Sequence, residues 1–203
     1  MTNEPTVFIV DDDDAVRRFL TGLIRSIDLK VEAYASAKDF LDAYRPGRPG
    51  CLLLDVRMPG MSGLELQREL AQRSIELQVV ILTGHGNVPV AVQAMKAGAV
   101  DFIEKPFNNE LLLDRIQTAV AQSLRSDSER EKHDETLRRL DTLTPRERQV
   151  CDLVVNGETN KSIAHRLTIS EKTVEIHRAN VMRKMRARSL ASLVHMAVSL
   201  RED

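Results

Sequence analysis

Five short runs of mostly apolar, often β-branched residues punctuate the first half of the chain: "TVFIV" (6–10), "KVEAY" (30–34), "CLLLD" (51–55), "VVILT" (79–83) and "DFIEK" (101–105). Only "KVEAY" alternates apolar with polar; the others suit strands buried on both faces of a sheet. Between and after these runs, apolar positions recur at helical spacing over 14–27, 36–44, 63–73, 88–97 and 109–122. Five strands alternating with five helices predict an α/β fold, a doubly wound parallel sheet. In such a sheet the ligand site lies beyond the carboxyl ends of the strands, near the point where strand order reverses.

Beyond residue 142 the strand period disappears. Thr144 as N-cap, Pro145 at the first helical position and Glu147 three residues after the cap form a capping box, and Val150, Leu153 and Val154 follow at helical spacing. Gly157 ends that helix. A short helix, "NKSIAHRLT", then meets a turn, and Ser170 caps a longer basic helix, "EKTVEIHRANVMRKM". Two helices joined by a tight turn, the second basic, predict a small all-α helix-turn-helix domain. At about 100° per residue, Val174, Val181 and Met185 share one stripe of the second helix. Lys172, Ile176, Ala179 and Arg183 lie opposite, flanked by Glu175 and Asn180, while His177 and Arg178 turn towards the packed side. The apolar stripe packs, which leaves the opposite side for a major groove.

Between the two patterns, "SLRSDSEREKHDETLRRLD" (123–141) holds neither Gly nor Pro and little apolar bulk. It is a solvated helix or a mobile tether, and the pair Glu135 and Arg139, four apart, favours the helix. Three parts result: 1–122, the charged linker 123–141, and 142–203.

Charge follows the same division. The first part carries 13 Lys and Arg against 17 Asp and Glu, and the last carries 11 against 7, so the near-neutral whole hides a basic end. Nucleic acid is the first partner such an end suggests. No apolar run approaches a membrane span and the N-terminus lacks a signal-peptide pattern, so a cytoplasmic location with no membrane partner is expected. Cys51 and Cys151, each inside an apolar segment, read as reduced core residues.

Strand order concentrates acid at one edge. Asp11 and Asp12 follow the first strand, Asp55 ends the third, Thr83 ends the fourth and Lys105 ends the fifth, before Pro106. Converging carboxylates need a counter-charge, and hard oxygen ligands suit Mg²⁺ together with a phosphoryl group. Asp13 and Asp14 belong at the following helix start, where negative charge meets the helix dipole favourably. Pro59 and Gly60 shape a turn after Asp55, and Gly63 permits close approach at the next helix start.

The motifs "VDDD", "LLLDVRMPGMSG", "ILTGHG" and "DFIEKPF" give residues 5–122 a resemblance to response-regulator receiver domains, a flavodoxin-like fold. The resemblance implies that Asp55 is the phosphoacceptor and that Asp11, Asp12, Asp55 and the main-chain carbonyl of Arg57 hold Mg²⁺ or Mn²⁺. Lys105 would pair with phosphoryl oxygens, Thr83 would hydrogen-bond one of them after transfer, and Phe102 would follow as a switch aromatic. Val88, Val92, Lys96 and Ile103 correspond to the family's dimerisation face.

"LTPRERQV", "NKSIA", "LTISEKTVEIHRANVMRKM" and "SLASLV" likewise resemble the LuxR-type DNA-binding domain. By position, Glu175, Ile176, Ala179 and Asn180 are candidates for base edges, with Lys161, Ser162, Thr173, Arg183 and Lys184 on phosphates. Glu175 can accept a hydrogen bond from cytosine but repels phosphates. Together the resemblances imply a two-component regulator of the FixJ/NarL type, not an enzyme. A sensor histidine kinase phosphorylates it, it dimerises on phosphorylation, it binds promoter DNA as an activator, and it works with RNA polymerase. Two other readings remain: a Mg²⁺-dependent phosphohydrolase of the haloacid-dehalogenase type, and a signalling module whose C-terminus binds protein or RNA. The first needs an acid two residues after the nucleophile, where this chain has Arg57.

Overall fold

A computed structural model describes residues 4–84 and 88–200. His85 and Gly86 of the "ILTGHG" motif lie outside the described residues. The chain divides into two compact units, residues 1–127 and 128–203.

Up to residue 141 the chain alternates as its sequence pattern predicts: β1 (Thr6–Val10), α1 (Asp14–Arg25), β2 (Lys30–Tyr34), α2 (Ala37–Ala43), β3 (Gly50–Asp55), α3 (Gly63–Gln72), β4 (Gln78–Thr83), α4 (Val88–Lys96), β5 (Ala99–Glu104) and α5 (Asn109–Asp141). The strands form one parallel sheet in the order β2-β1-β3-β4-β5. Strand parity splits its core in two. Phe8, Val10, Leu52, Leu54, Val79 and Ile81 pack with Phe40, Leu66, Leu70 and Ala94 of α2, α3 and α4. Val7, Ile9, Cys51, Leu53, Val80 and Leu82 face the other way, onto Leu20 and Ile24 of α1 and Leu112 and Ile116 of α5. Helices on both faces explain why β1 and β3 are buried at every position and why their sequence does not alternate. Edge strand β2 is covered only partly on each side, Val31 packing on the α1 and α5 core and Tyr34 on the opposite one, and none of its residues is fully buried.

The same parity corrects one sequence expectation. Ile103 does not join Val88, Val92 and Lys96 on an outer face; it is buried with Val80 and Leu82 in the α1 and α5 core. Adjacent residues of a strand point to opposite faces, so Phe102 packs on the α4 side and Ile103 cannot. Val88, Val92 and Lys96 are exposed on α4.

Helix α5 runs past residue 122, through the charged stretch, to Asp141. Nothing in that stretch breaks a helix, and Arg139 Nε donates to Glu135 Oε1 at 2.9 Å across one turn. The stretch is also not wholly solvated. Ser123 is buried, its Oγ accepting the Gly50 N–H at 2.9 Å, and Leu140 packs on the C-terminal core. Both cysteines are buried and lie outside any disulfide, and burial pushes the Cys51 thiol up to about 12, so it stays protonated.

The second unit holds α6 (Pro145–Val155), α7 (Asn160–Leu167), α8 (Glu171–Lys184) and α9 (Leu190–Ser199) around Val150, Val154, Ile163, Val174, Val181, Met185 and Leu193. Thr144, Thr159, Ser170 and Ser189 cap the four helices through their side-chain oxygens. The turn between α7 and α8 closes at Thr168 in the left-handed region, with φ of 55°. The capping box at Thr144 and Glu147 is formed, and Lys184 Nζ at the end of α8 donates to Glu147 Oε2 at 2.6 Å. The hydrogen bond from Lys184, then that from the Thr144 N–H, lowers the buried Glu147 carboxyl to about 2. Its stabilising share is therefore complete above the ordinary pKa near 4.5 and is lost as pH falls through about 2. Glu147→Ala should destabilise the second unit by about 1–3 kcal/mol near neutral pH. Urea unfolding of the full chain measures this, and the gap between variant and wild type should narrow as the pH is lowered from 4.5 towards 2.

Candidate functional site

The order reversal between β1 and β3 lies at the centre of the sheet, and the predicted acids meet there. Lys105 Nζ donates to Asp11 Oδ2 at 2.6 Å and to Asp55 Oδ1 at 2.7 Å. Both carboxylates are buried and the ammonium is largely so. Each partner is held from behind. The Asp13 N–H donates to Asp11 Oδ1 at 2.9 Å, and the Arg57 N–H donates to Asp55 Oδ2 at 2.7 Å. The Lys105 N–H donates to the Thr83 carbonyl at 2.7 Å, tying the ends of β4 and β5. The Lys105–Pro106 peptide is cis.

Burial raises the Asp55 carboxyl above its ordinary range, with the Lys105 hydrogen bond working against that rise. Burial also opposes the Lys105 ammonium, yet hydrogen bonds to Asp11 and Asp55 outweigh it and hold this pKa above its usual value. Two carboxylates sharing one ammonium leave the site negative. Their hard, converging oxygens fit a divalent cation with oxygen preference. Asp12 is exposed, and among the described residues no three acidic, His or Cys side chains gather as one ligating cluster. The structure thus joins Asp11 and Asp55 and leaves Asp12 at the rim.

The next two aspartates serve α1. Asp13 is its N-cap, accepting from the Ala15 and Val16 N–H groups, and Asp14 pairs with Arg17 and Arg18 at 3.1 and 3.0 Å. Arg17 also donates to the Asp11 carbonyl at 2.8 Å, a contact sequence reading misses although Arg17 follows the acidic run at i+3 from Asp14. Gly63 opens α3 directly against Asp55: a Cβ there would lie 2.1 Å from the Asp55 carbonyl oxygen. Thr83 is buried at the end of β4, and Phe102 is half-buried against the α4-side core.

On α8, Val174, Val181 and Met185 are buried, while Lys172, Glu175, Ile176, Ala179 and Arg183 are exposed. Asn180 is half-buried and its Oδ1 accepts from Arg183 at 3.1 Å. Thr173 Oγ1 pairs with Ser170 Oγ at 2.8 Å, beside the cap. Lys161 and Ser162 are exposed on α7. Lys184 departs from its expected phosphate role, because Glu147 and the Thr142 carbonyl occupy its ammonium. Arg178, half-buried, donates to Asn160 Oδ1 at 2.8 Å and fixes α8 to the start of α7.

Comparison with known proteins agrees with both halves of this geometry. Residues 7–117 match the response regulator receiver domain, and residues 141–197 match the bacterial regulatory proteins of the luxR family. The transcriptional regulatory protein FixJ of Azorhizobium caulinodans is 48% identical, with 95% of this chain and 91% of that protein covered. The response regulator protein TodT of Pseudomonas putida is 43% identical over 97% of this chain and 87% of its own length. Among solved structures, that of the response regulator StyR is 46% identical, covers 96% of this chain and 98% of its own, and gives a TM-score of 0.88.

Gly63→Ala tests how tightly α3 abuts the Asp55 strand. The added methyl should cost about 1–3 kcal/mol of first-unit stability by denaturant unfolding, because it meets backbone that cannot rotate aside.

Proposed function

From the premise that the chain belongs to the response regulators, joining a receiver domain to a LuxR-type DNA-binding domain, we propose how it works as a phosphorylated transcriptional regulator of a two-component system. Asp55 accepts the phosphoryl group from the sensor histidine kinase. The observation that carries this assignment is the Lys105 ammonium bridging Asp11 and Asp55. A carboxylate is a weak nucleophile, but phosphoryl transfer asks mainly for in-line positioning and neutralised charge. Arg57 N–H and Lys105 hold the two Asp55 oxygens from opposite sides, which orients the acceptor.

Receiver domains use a divalent metal ion, and we assign Mg²⁺ (or Mn²⁺) to Asp11, Asp12, Asp55 and the Arg57 carbonyl. When bound, the ion supplies charge neutralisation on the phosphoryl oxygens. Lys105 then pairs with a phosphoryl oxygen and the Thr83 hydroxyl hydrogen-bonds another. Phe102, which has no hydroxyl to anchor it, repacks beside α4. That change promotes pairing of two chains through the exposed α4 face at Val88, Val92 and Lys96, and two LuxR-type domains then engage paired operator half-sites. Lys161, Ser162, Thr173 and Arg183 contact phosphates, and Glu175, Ile176, Ala179 and Asn180 read base edges. The bound regulator activates transcription with RNA polymerase in the cytoplasm. Among the described residues no helix is long and apolar enough to cross a membrane. Apart from transfer to its own Asp55 and slow self-dephosphorylation, the chain catalyses nothing.

Incubation with acetyl phosphate and Mg²⁺, followed by intact mass measurement, tests the assignment. Wild type should gain one phosphoryl group and Asp55→Asn none; a gain that survives the substitution, or sustained turnover of phosphomonoesters, overturns it. In the same assay Asp12→Ala should abolish Mg²⁺-dependent phosphorylation while Asp14→Ala leaves it nearly intact, since Asp14 makes only exposed helix ion pairs worth about 0.3–0.5 kcal/mol each.

A further inference from the structure

The first helix of a helix-turn-helix crosses the sugar-phosphate backbone, so its exposed donors are those a phosphate can reach. On α7 these include Lys161, Ser162, His165 and Arg166, all exposed, while Ile163, Ala164 and Leu167 turn inward. Arg166 has no role in the motif-based assignments above. In the structure it and Ser162 are already occupied. Ser162 Oγ donates to Glu158 Oε2 at 2.8 Å, and Arg166 Nη1 donates to Glu158 Oε1 at 2.5 Å. One carboxylate thus takes a hydroxyl and a guanidinium with its two oxygens, as two oxygens of a phosphodiester would. Glu158 is well covered, at 19% exposure, whereas the Arg166 side chain is 65% exposed and free to turn.

We infer that Arg166 joins Ser162 in gripping a DNA phosphate and that Glu158 is the internal occupant of this site in the free protein. A backbone phosphate and Glu158 then compete for the same two donors. The carboxylate lowers affinity for any duplex, regardless of sequence, and so sharpens dependence on the base contacts of α8. This inference rests on the DNA-binding reading of the second unit and adds to it a residue pair that sets non-specific affinity.

The test is fluorescence anisotropy with a short labelled duplex of arbitrary sequence, titrated with full-length protein over a range of KCl concentrations. Arg166→Gln should make the plot of log K against log[salt] shallower by about one, the signature of a lost phosphate contact. Glu158→Gln should tighten binding by roughly twofold to fivefold at fixed salt, the size of an exposed ion pair. In the Arg166→Gln background that gain should shrink, because the two residues act on one site. A purely structural ion pair would change thermal stability and leave the salt slope as in wild type; an unchanged slope in Arg166→Gln overturns the inference. Wild-type protein that binds no duplex overturns the DNA-binding reading as well, whereas normal wild-type binding with unchanged variants overturns the Arg166 site alone.

Discussion

The bridge from Lys105 to Asp11 and Asp55 is the constraint on which the first unit depends. Two buried carboxylates repel each other and each is costly to desolvate, so neither position tolerates its charge without the ammonium between them. That ammonium comes from the far edge of the sheet. Neighbouring strands lie about 4.8 Å apart, and Lys105, directly after β5, serves Asp55 at the end of β3 and Asp11 just past β1. Only a long side chain whose own backbone is pinned can do this, and the Thr83 carbonyl pins it. Burial of both β1 and β3 on two faces, the close approach at Gly63 and the Arg57 N–H all serve to hold the Asp55 carboxylate in one place.

The second unit manages buried charge in the same way for a different end. Glu147 completes a capping box and receives Lys184 from the end of α8, so the charge that fixes α6 also fixes α8. Arg178 performs the complementary task at the start of α7. With one side of α8 bound to the core by Val174, Val181 and Met185, its other side presents Lys172, Glu175, Ile176, Ala179 and Arg183 as a rigid set.

Much of this was legible in the linear pattern because its causes are local or periodic. Continuous apolar runs predict central strands, and the capping box at Thr144 and Glu147, the Ser170 cap and the α8 stripe depend on residues within a turn or two of one another. Part of the division of the four aspartates was legible for the same reason: Asp13 caps and Asp14 begins α1, while Asp11 follows a buried strand; Asp12, expected beside Asp11, is exposed.

What the pattern left open depended on contacts between distant residues. Ile103 reads as surface beside its neighbours, and only strand parity against α5 buries it. Lys184 looks like any basic residue facing phosphate until Glu147, 37 positions away, claims it. Ser123 belongs to the first unit because Gly50, 73 residues earlier, needs an acceptor for its N–H. The sequence alone determined element types, a doubly wound parallel sheet and the identities of the acids, since periodicity and capping are short-range. Tertiary structure decided which charges meet, which face each strand residue takes and which donors are already occupied, because a buried or partnered charge is defined only by what surrounds it in space.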